Sequence, residues 1–464
     1  GQLLWLLWLL WSQWLWLLRF NPGLLWLMRL LWVEAVAPVA AVSMAAVTAV
    51  AVVVVAVTAV LKQGSLKSKA KSEDVINALK AIKKLGISYK INKNFCEING
   101  KGLNGFKFKN NTIINAGNSG TLARLIFGLL LNSKNSIILK GDKSLSKRDF
   151  SRVILPMKKF GQNIESKNNK LPIKIKGTIY PTPINYIESK ASAQVKSCIL
   201  LAAMKTNGIT NIKCIPSRDH TERLYKYLKL PIKVKKEKKF ELVSFKGKKN
   251  YKGFNYTIPG DISSSSFFIV LTLLSKKSEL LIKNVNVNKS RTGIIDILKL
   301  MNAKIYLKNK RIYKGESISD ICVKSSNKLK AIDCSTKMNS RSIDEFLLIF
   351  LVCSLAKGVS KFKKIEELRN KETDRLKFAN NFLNKIGIKT IVKKDSLKIY
   401  GNPNLKLKNT YEIKKFDKDH RACMVSFIAA LTLGGKWIIH DINSINTSFP
   451  NFISLLKKLG AKIH

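Results

Sequence analysis

The chain has 464 residues, enough for two or three domains, and its 83 Lys and Arg against 29 Asp and Glu give a formal charge of +54. The excess is lysine spread from residue 62 onward beside abundant Asn and Ile. It reads as a composition bias on solvated faces, since no helix-turn-helix, zinc-finger or RNA-stacking signature accompanies it. Seven scattered cysteines with no C-x-x-C pair, and four dispersed histidines, argue against a disulfide framework or a metal site and fit a reducing, cytoplasmic compartment.

In chain order, residues 1–61 stand apart. The first lysine is Lys62, and seven of the eight tryptophans precede residue 33. Residues 2–18 are nearly all Leu and Trp and residues 35–60 nearly all Ala and Val, each run near the length that spans a bilayer. No basic region precedes the first run, as a secretory signal needs, and the Arg- and Ser-rich composition of a transit peptide is absent. Three readings stay open: a fused or non-native N-terminus, a buried core segment of altered sequence, or a membrane anchor.

From about residue 65 the pattern is α/β. SEDVINALKAIKKLG predicts a helix with Ser72, Glu73 and Asp74 at its start and Gly86 after its end. Runs such as SIILKG, LPIKIKG, ELLIKNVNV and KWIIHDI predict strands. The phrases KKLGISYKI, KKFGQNI, LLKLMNAKIYL, LNKIGIKTIV and LKKLGAKI each carry a helix end straight into a strand.

Five polar turns open apolar helices: GNSGT (117–121), Ser192-Ala193-Gln194, the serines at 263–266, Ser342–Glu345 and Asp419-His420-Arg421. Markers at 118, 192, 263, 343 and 420 lie 74, 71, 80 and 77 residues apart. A period of about 75 residues exceeds a solenoid repeat and predicts a small α/β module of several elements. Helix N-termini carry free N–H groups and the positive dipole end, so converging turns would hold a highly anionic small molecule. A Lys-rich, glycine-punctuated stretch at 233–255 separates two halves. Three clusters exceed the needs of a solvated face: SRDHTER (217–223), KETDR (371–375) and Asp419-His420-Arg421. Arg375 and Arg421 oppose the dipole in helix first turns, which suggests that they are held for a ligand.

Together these stretches resemble the 5-enolpyruvylshikimate-3-phosphate synthase family over residues 65–464. Ten motifs stand in the family's order: GNSGT, LKGDKSLSKR (139–148), ASAQVKS (191–197), SRDHTER, IPGDISSSSFF (258–268), RTGIIDILKLMNAKI (291–305), SIDEF (342–346), LRNKETDRL (368–376), DHRACM (419–424) and NTSFP (446–450). The sister UDP-N-acetylglucosamine enolpyruvyl transferase family matches less well, notably at SRDHTER and KETDR.

The resemblance implies an α/β (α+β) fold of two domains, 62–248 and 249–464, following the atypical segment 1–61. Each domain would hold three βαβαββ units about a pseudo-threefold axis, an inside-out α/β barrel. It implies transfer of the enolpyruvyl group of phosphoenolpyruvate to the 5-hydroxyl of shikimate 3-phosphate, a step of aromatic biosynthesis. The enzyme would need no metal or cofactor and would act as a monomer with small-molecule partners, without nucleic acid or membrane.

Asp344 and Glu372 would be the catalytic carboxylates: Asp344 the base for the 5-hydroxyl, Glu372 the acid for the enol methylene, with a pKa raised by a closed cleft. Asn118, Gly120, Thr121, Arg148, Lys371, Arg375 and Arg421 would face phosphoenolpyruvate. Ser192, Gln194, Arg218 and Asp344 would face shikimate 3-phosphate. Gly120, without a Cβ, matches the position at which family members accept glyphosate.

The chain departs from the pattern in three places. Where a sixth turn with the family's P-G-D-K-S-x-S-x-R is due, near residue 43, it reads Pro38-Val39-Ala40-Ala41-Val42-Ser43-Met44-Ala45-Ala46. Asp149-Phe150 follows Arg148 in place of Pro-Met, and Leu347 replaces a Pro. The alternatives are therefore a catalytically impaired anion-binding protein on the same fold, a UDP-N-acetylglucosamine enolpyruvyl transferase-like enzyme, and a basic nucleic-acid binder.

Overall fold

A computed structural model describes residues 40–43, 48–67, 72–92, 95–247, 253–414, 416 and 418–463. The Leu/Trp run at 2–18 and residues 44–47 of the expected sixth turn lie outside the described residues.

The 75-residue period is a unit of four strands. Thr112–Asn115 pairs in parallel with Ser136–Lys140, which pairs antiparallel with Ile173–Lys176, which pairs antiparallel with Asn163–Ser166. A helix, Gly120–Leu129, makes the parallel crossover, as such a connection requires. The same order recurs in Asn185–Glu188, Ile209–Cys214, Glu241–Lys246 and Ile232–Lys236. In the unit that starts near residue 330, two isolated bridges, Lys330↔Lys357 and Asp333↔Lys361, stand in for the first strand. The last unit shows one parallel pair, Leu407–Ile413 with Gly434–Ile439.

The two remaining units exchange strands between lobes. Ala40–Ser43 pairs in parallel with Glu279–Asn286, in the second lobe, although the chain then runs into a first-lobe helix. Asn255–Thr257 pairs in parallel with Lys62–Lys67, in the first lobe, although the chain then runs into a second-lobe helix. The chain therefore crosses between lobes twice. One core gathers residues between Ala51 and Ile258 and the other residues between Ile262 and Leu456, so the crossing near 258–262 lies about ten residues beyond the expected boundary at 249.

Six inner helices open from the turns: α1 (Thr48–Val60), α2 (Gly120–Leu129), α3 (Ala193–Ala203), α4 (Ile262–Leu274), α5 (Phe346–Ser354) and α6 (His420–Leu433). They are apolar nearly all round because each is buried against its neighbours, α1 and α3 on α2, and α4, α5 and α6 on one another. All nine residues of α5 are buried. In α1, residues 51–60 are buried in the first core, so the Ala/Val run set apart in the sequence reading packs with the first lobe. Among the described residues no helix is long and apolar enough to cross a membrane. Outer helices carry the opposite pattern: Glu73–Lys84 buries Val75, Ala78, Leu79, Ala81 and Ile82 and turns its lysines out.

Gly128 lets α2 and α3 touch. A Cβ there would lie 2.3 Å from the Cys198 carbonyl oxygen and 3.1 Å from the Ala202 nitrogen. Gly128→Ala should therefore lower unfolding stability by about 1–3 kcal/mol, the usual cost of overpacking, as read from a urea transition midpoint.

Lys205 is a buried cation at the end of this helix pair. Its ammonium donates to Asn132 Oδ1 at 2.7 Å and lies 4.8 Å from the Phe106 ring centre, while burial pushes its pKa down to about 7. Between pH 7 and the ordinary lysine value the unfolded chain holds a proton that the folded chain has shed, so this group makes stability rise with pH across that window. Lys205→Met should raise the melting temperature at pH 7 and flatten its slope between pH 7 and 10.

Candidate active site

Strand-to-helix turns from both lobes meet at one cleft. In the first lobe Ser119 caps α2 by accepting from the Leu122 N–H (3.3 Å), and Ser192 caps α3 by accepting from the Val195 N–H (3.4 Å). In the second, Asp261 accepts from the N–H groups of Ser263 and Ser264 (3.2 and 3.3 Å), and Asp419 from those of Arg421 and Ala422 (2.9 and 3.3 Å). Gln194 donates to Thr121 Oγ1 at 2.9 Å, which ties the openings of α2 and α3 together.

Among the ion pairs that cross between the lobes, two lie at this cleft. Arg148 Nη2 donates to Glu372 Oε1 at 3.2 Å and to Asn118 Oδ1 at 3.2 Å. Arg218 Nη2 donates to Asp344 Oδ2 in a short contact. In each pair the first lobe supplies the guanidinium and the second the carboxylate. Arg375 gathers the second-lobe acids. Its Nε donates to Asp419 Oδ2 at 2.8 Å, and its Nη2 to Glu372 Oε2 at 2.7 Å and Asp419 Oδ1 at 3.2 Å; Nη1 lies 3.8 Å from Asp344 Oδ1. Arg421 Nη1 donates to the Asp344 carbonyl at 3.0 Å.

These cations set the charge states. Burial raises the pKa of Asp344, but Arg218, Arg421, Lys371 and Arg375 outweigh it and hold the carboxyl well below the usual range. Burial acts likewise on Glu372, and Arg375, Arg148 and His420 hold it far below its ordinary value. The sequence reading expected a raised Glu372 pKa. It is instead depressed, because the Arg375 and Arg148 guanidinium groups stand beside the carboxylate and outweigh its burial. Lys371 is half-buried beside Asp344, and burial lowers its pKa.

Arg375 is 2% exposed and paired with Asp419 and Glu372, so it also organises the cleft carboxylates. The expected acid beside Arg148 is turned away: Asp149 Oδ1 accepts from the Ser151 N–H at 3.1 Å, at the start of the next helix. Leu347 is buried in α5. The strand Ala40–Ser43 and α1 flank the sixth turn, and the sequence of α1 carries no charged residue.

Four residues of the cleft went unassigned in the sequence reading. His420 is buried with no hydrogen bond at Nδ1, and burial and Arg421 push its pKa down to about 4, so it is neutral at physiological pH. Asp74 has its pKa raised by burial to about 6; its field reaches Ser119, Glu372 and Arg148. Arg124 donates to the Gly120 carbonyl at 3.0 Å and lies 5.3 Å from the Phe150 ring centre. A Cβ on Gly120 would lie 2.8 Å from Arg124 Nη1 and 3.0 Å from Arg148 Nη1, so the missing side chain makes room for two guanidinium groups. Asp419 is fully buried beneath Arg375. Asp74 read in sequence only as a helix-start acid, Asp419 and His420 as members of a polar cluster with no role assigned, and Arg124 as one more residue of an apolar helix.

Two lobes of repeated βαβαββ units, with capped helix starts and arginines around a common cleft, define the enolpyruvyl transferase fold. The enolpyruvyl transferase NikO from Streptomyces tendae shares it at a TM-score of 0.72 and 14% identity, over 91% of this chain and 95% of that one. Within that fold the chain belongs to the EPSP synthase (3-phosphoshikimate 1-carboxyvinyltransferase) family, whose model matches residues 39–456. EPSP synthase from Acinetobacter baumannii is similar at a TM-score of 0.80 and 31% identity, over 91% of this chain and 96% of that one. The 3-phosphoshikimate 1-carboxyvinyltransferase of Ruthia magnifica is 41% identical over 397 residues, 84% of this chain and 88% of the relative. That of Petrotoga mobilis is 39% identical over 393 residues, 84% and 89% of the two chains.

Removing one acid from the Arg375 cluster should be costly. Asp419→Asn leaves a buried guanidinium short of its counter-charge and should lower unfolding stability by about 3–5 kcal/mol, measured by denaturant titration.

Proposed function

We propose that this chain transfers the enolpyruvyl group of phosphoenolpyruvate to the 5-hydroxyl of shikimate 3-phosphate, with Asp344 and Glu372 as its catalytic carboxylates. One observation carries the assignment of roles: Arg148–Glu372 and Arg218–Asp344 are opposed across the same cleft, cation on one lobe and carboxylate on the other. Family membership supports the reaction; the readings as a UDP-N-acetylglucosamine enzyme, a nucleic-acid binder or an inactive relative are not favoured.

Shikimate 3-phosphate would lie against the first lobe, its phosphate at the α3 start with Ser192 and Gln194 and against Arg218. Phosphoenolpyruvate would lie between Arg148, Lys371, Arg375 and Arg421, beside Asn118, Gly120 and Thr121. Guanidinium suits both anions because its planar fork makes paired hydrogen bonds to carboxylate and phosphate. The 5-hydroxyl oxygen bonds to C2 of phosphoenolpyruvate while its proton goes to Asp344, which the surrounding cations keep ionised. C3 takes a proton from Glu372. The C2–O bond to phosphate then breaks, phosphate leaves, and a methyl proton returns to Glu372 as the new enol ether forms.

Held ionised by Arg375 and Arg148, Glu372 must gain a proton before it can give one. The anions of phosphoenolpyruvate supply the remedy. They engage Arg148 and Arg375, weaken the field that depresses Glu372, and bring negative charge beside it, so its pKa rises on binding. The pH dependence follows in sign: forming the complex takes up a proton, and affinity falls as pH rises. All seven cysteines are free thiols, which supports a reducing, cytoplasmic setting, and the chain would act as a monomer.

Two measurements test this reading. Phosphate release from shikimate 3-phosphate plus phosphoenolpyruvate should be measurable with the full chain; binding of shikimate 3-phosphate without turnover would mark the altered turn at 38–46 as disabling. Calorimetry of ternary-complex formation in buffers of differing ionisation enthalpy should show net proton uptake at pH 7, abolished in Glu372→Gln. Proton release, or uptake unchanged in the variant, would overturn the role of Glu372.

A further inference from the structure

Glu345 is an anomaly of α5. It precedes nine buried residues, eight of them apolar, is itself 2% exposed, and makes no cap hydrogen bond to the helix that it opens. A carboxyl buried without a cap to make costs more than an apolar side chain of like volume, so its retention asks for a reason.

Its neighbours supply one. Arg291 Nη2 donates to Ser263 Oγ at 2.6 Å and lies 3.1 Å from Asp261 Oδ1. Ser263 in turn donates to Glu345 Oε1. The direction of this chain is fixed, because a guanidinium only donates: Ser263 must accept from Arg291 and send its own proton on to Oε1. Oε1 is thereby an acceptor, and the same oxygen lies 3.8 Å from Nη1 of Arg421. Nη1 also donates to the Asp344 carbonyl at 3.0 Å. Two acceptors, the Asp344 carbonyl and Glu345 Oε1, thus flank one nitrogen of a guanidinium whose residue is 15% exposed toward the cleft in its side chain. Burial, then the adjacent Asp344 charge, raises the Glu345 pKa.

We propose that Glu345 is a positioning residue that aims Arg421 into the phosphoenolpyruvate side of the cleft, held in place by the Asp261–Arg291–Ser263 chain at the α4 start. It touches neither substrate. It acts by fixing one end of the guanidinium so that the other end meets the ligand in a set direction. The proposal rests on Arg421 as a phosphoenolpyruvate ligand, and Arg421→Lys is the control for that reading.

The test is steady-state kinetics of the full chain with each substrate varied in turn. Glu345→Leu keeps the volume and removes the acceptor. It should raise KM for phosphoenolpyruvate by about tenfold, the scale of one weakened charge-assisted contact, with KM for shikimate 3-phosphate and kcat changed less than about twofold. Glu345→Gln keeps an acceptor oxygen and should restore most of the lost affinity. Ser263→Ala, a smaller change that frees Oε1, should shift the same KM in the same direction by a lesser factor, and it carries the test should Glu345→Leu not fold. A selective rise reversed by Gln supports the proposal. Equal shifts in both KM values, or a lowered melting temperature with both KM values unchanged, overturn it. If Arg421→Lys itself leaves KM for phosphoenolpyruvate unchanged, the ligand role of Arg421 fails, and Glu345 with it.

Discussion

Arginines gathered in one cleft must be neutralised, and the rest of this structure follows from how Asp344, Glu372 and Asp419 do so. Helix starts bring partial positive charge to the cleft, and Arg148, Arg218, Arg375, Arg421 and Lys371 add full charges. Left alone in a low-dielectric gap these would repel one another strongly. Asp344, Glu372 and Asp419 stand where anionic groups would, and Arg375, bonded to two of them, keeps them from repelling in turn. The groups proposed for acid–base chemistry are therefore also the counter-ions of these arginines. Their depressed pKa values are one consequence. The closeness of the lobes is another, since Arg148 and Arg218 find their partners only across the gap.

The exchange of strands gives the lobes a frame for this. Ala40–Ser43 completes a second-lobe sheet and leads into first-lobe α1; Asn255–Thr257 completes a first-lobe sheet and leads into second-lobe α4. Each crossing is held on one side by parallel pairing and on the other by a buried helix. Neither can be pulled out without breaking a sheet. The Ala/Val composition of α1 is compatible with this, because a helix buried on every side needs only small apolar residues and no polar face.

Much of this was legible in sequence. The polar turns, spaced by about 75 residues, correspond to the starts of α2 to α6, and the helix–turn–strand phrases mark where each unit turns back. Motif order pointed to the family. What stayed hidden depends on contacts between distant residues. Arg148 and Glu372 are 224 residues apart and Arg218 and Asp344 126, and no local pattern says that they pair. Glu372 read as an acid awaiting a raised pKa because its two guanidinium neighbours come from other elements. The pairing of Arg375 with the buried Asp419 is likewise a tertiary fact. The strand exchange was masked for a similar reason: Asn255–Thr257 is three residues long and lies beside a lysine-rich stretch that looks like a linker.

The altered turn before α1 can be weighed against the same charge balance. Its sequence, Met44-Ala45-Ala46-Val47, carries no side-chain charge. Each anionic substrate group must then be met by the cations that remain. Those are numerous, and Arg124 adds another beside Arg148, its pKa lowered to about 10 first by burial and then by its cationic neighbours. A guanidinium whose protonated form is disfavoured by other cations is a site that gains when an anion arrives. The pocket as built is thus under positive tension, restrained by Glu372 and Asp344, and an incoming phosphate relieves that tension as it frees the carboxylates for proton transfer.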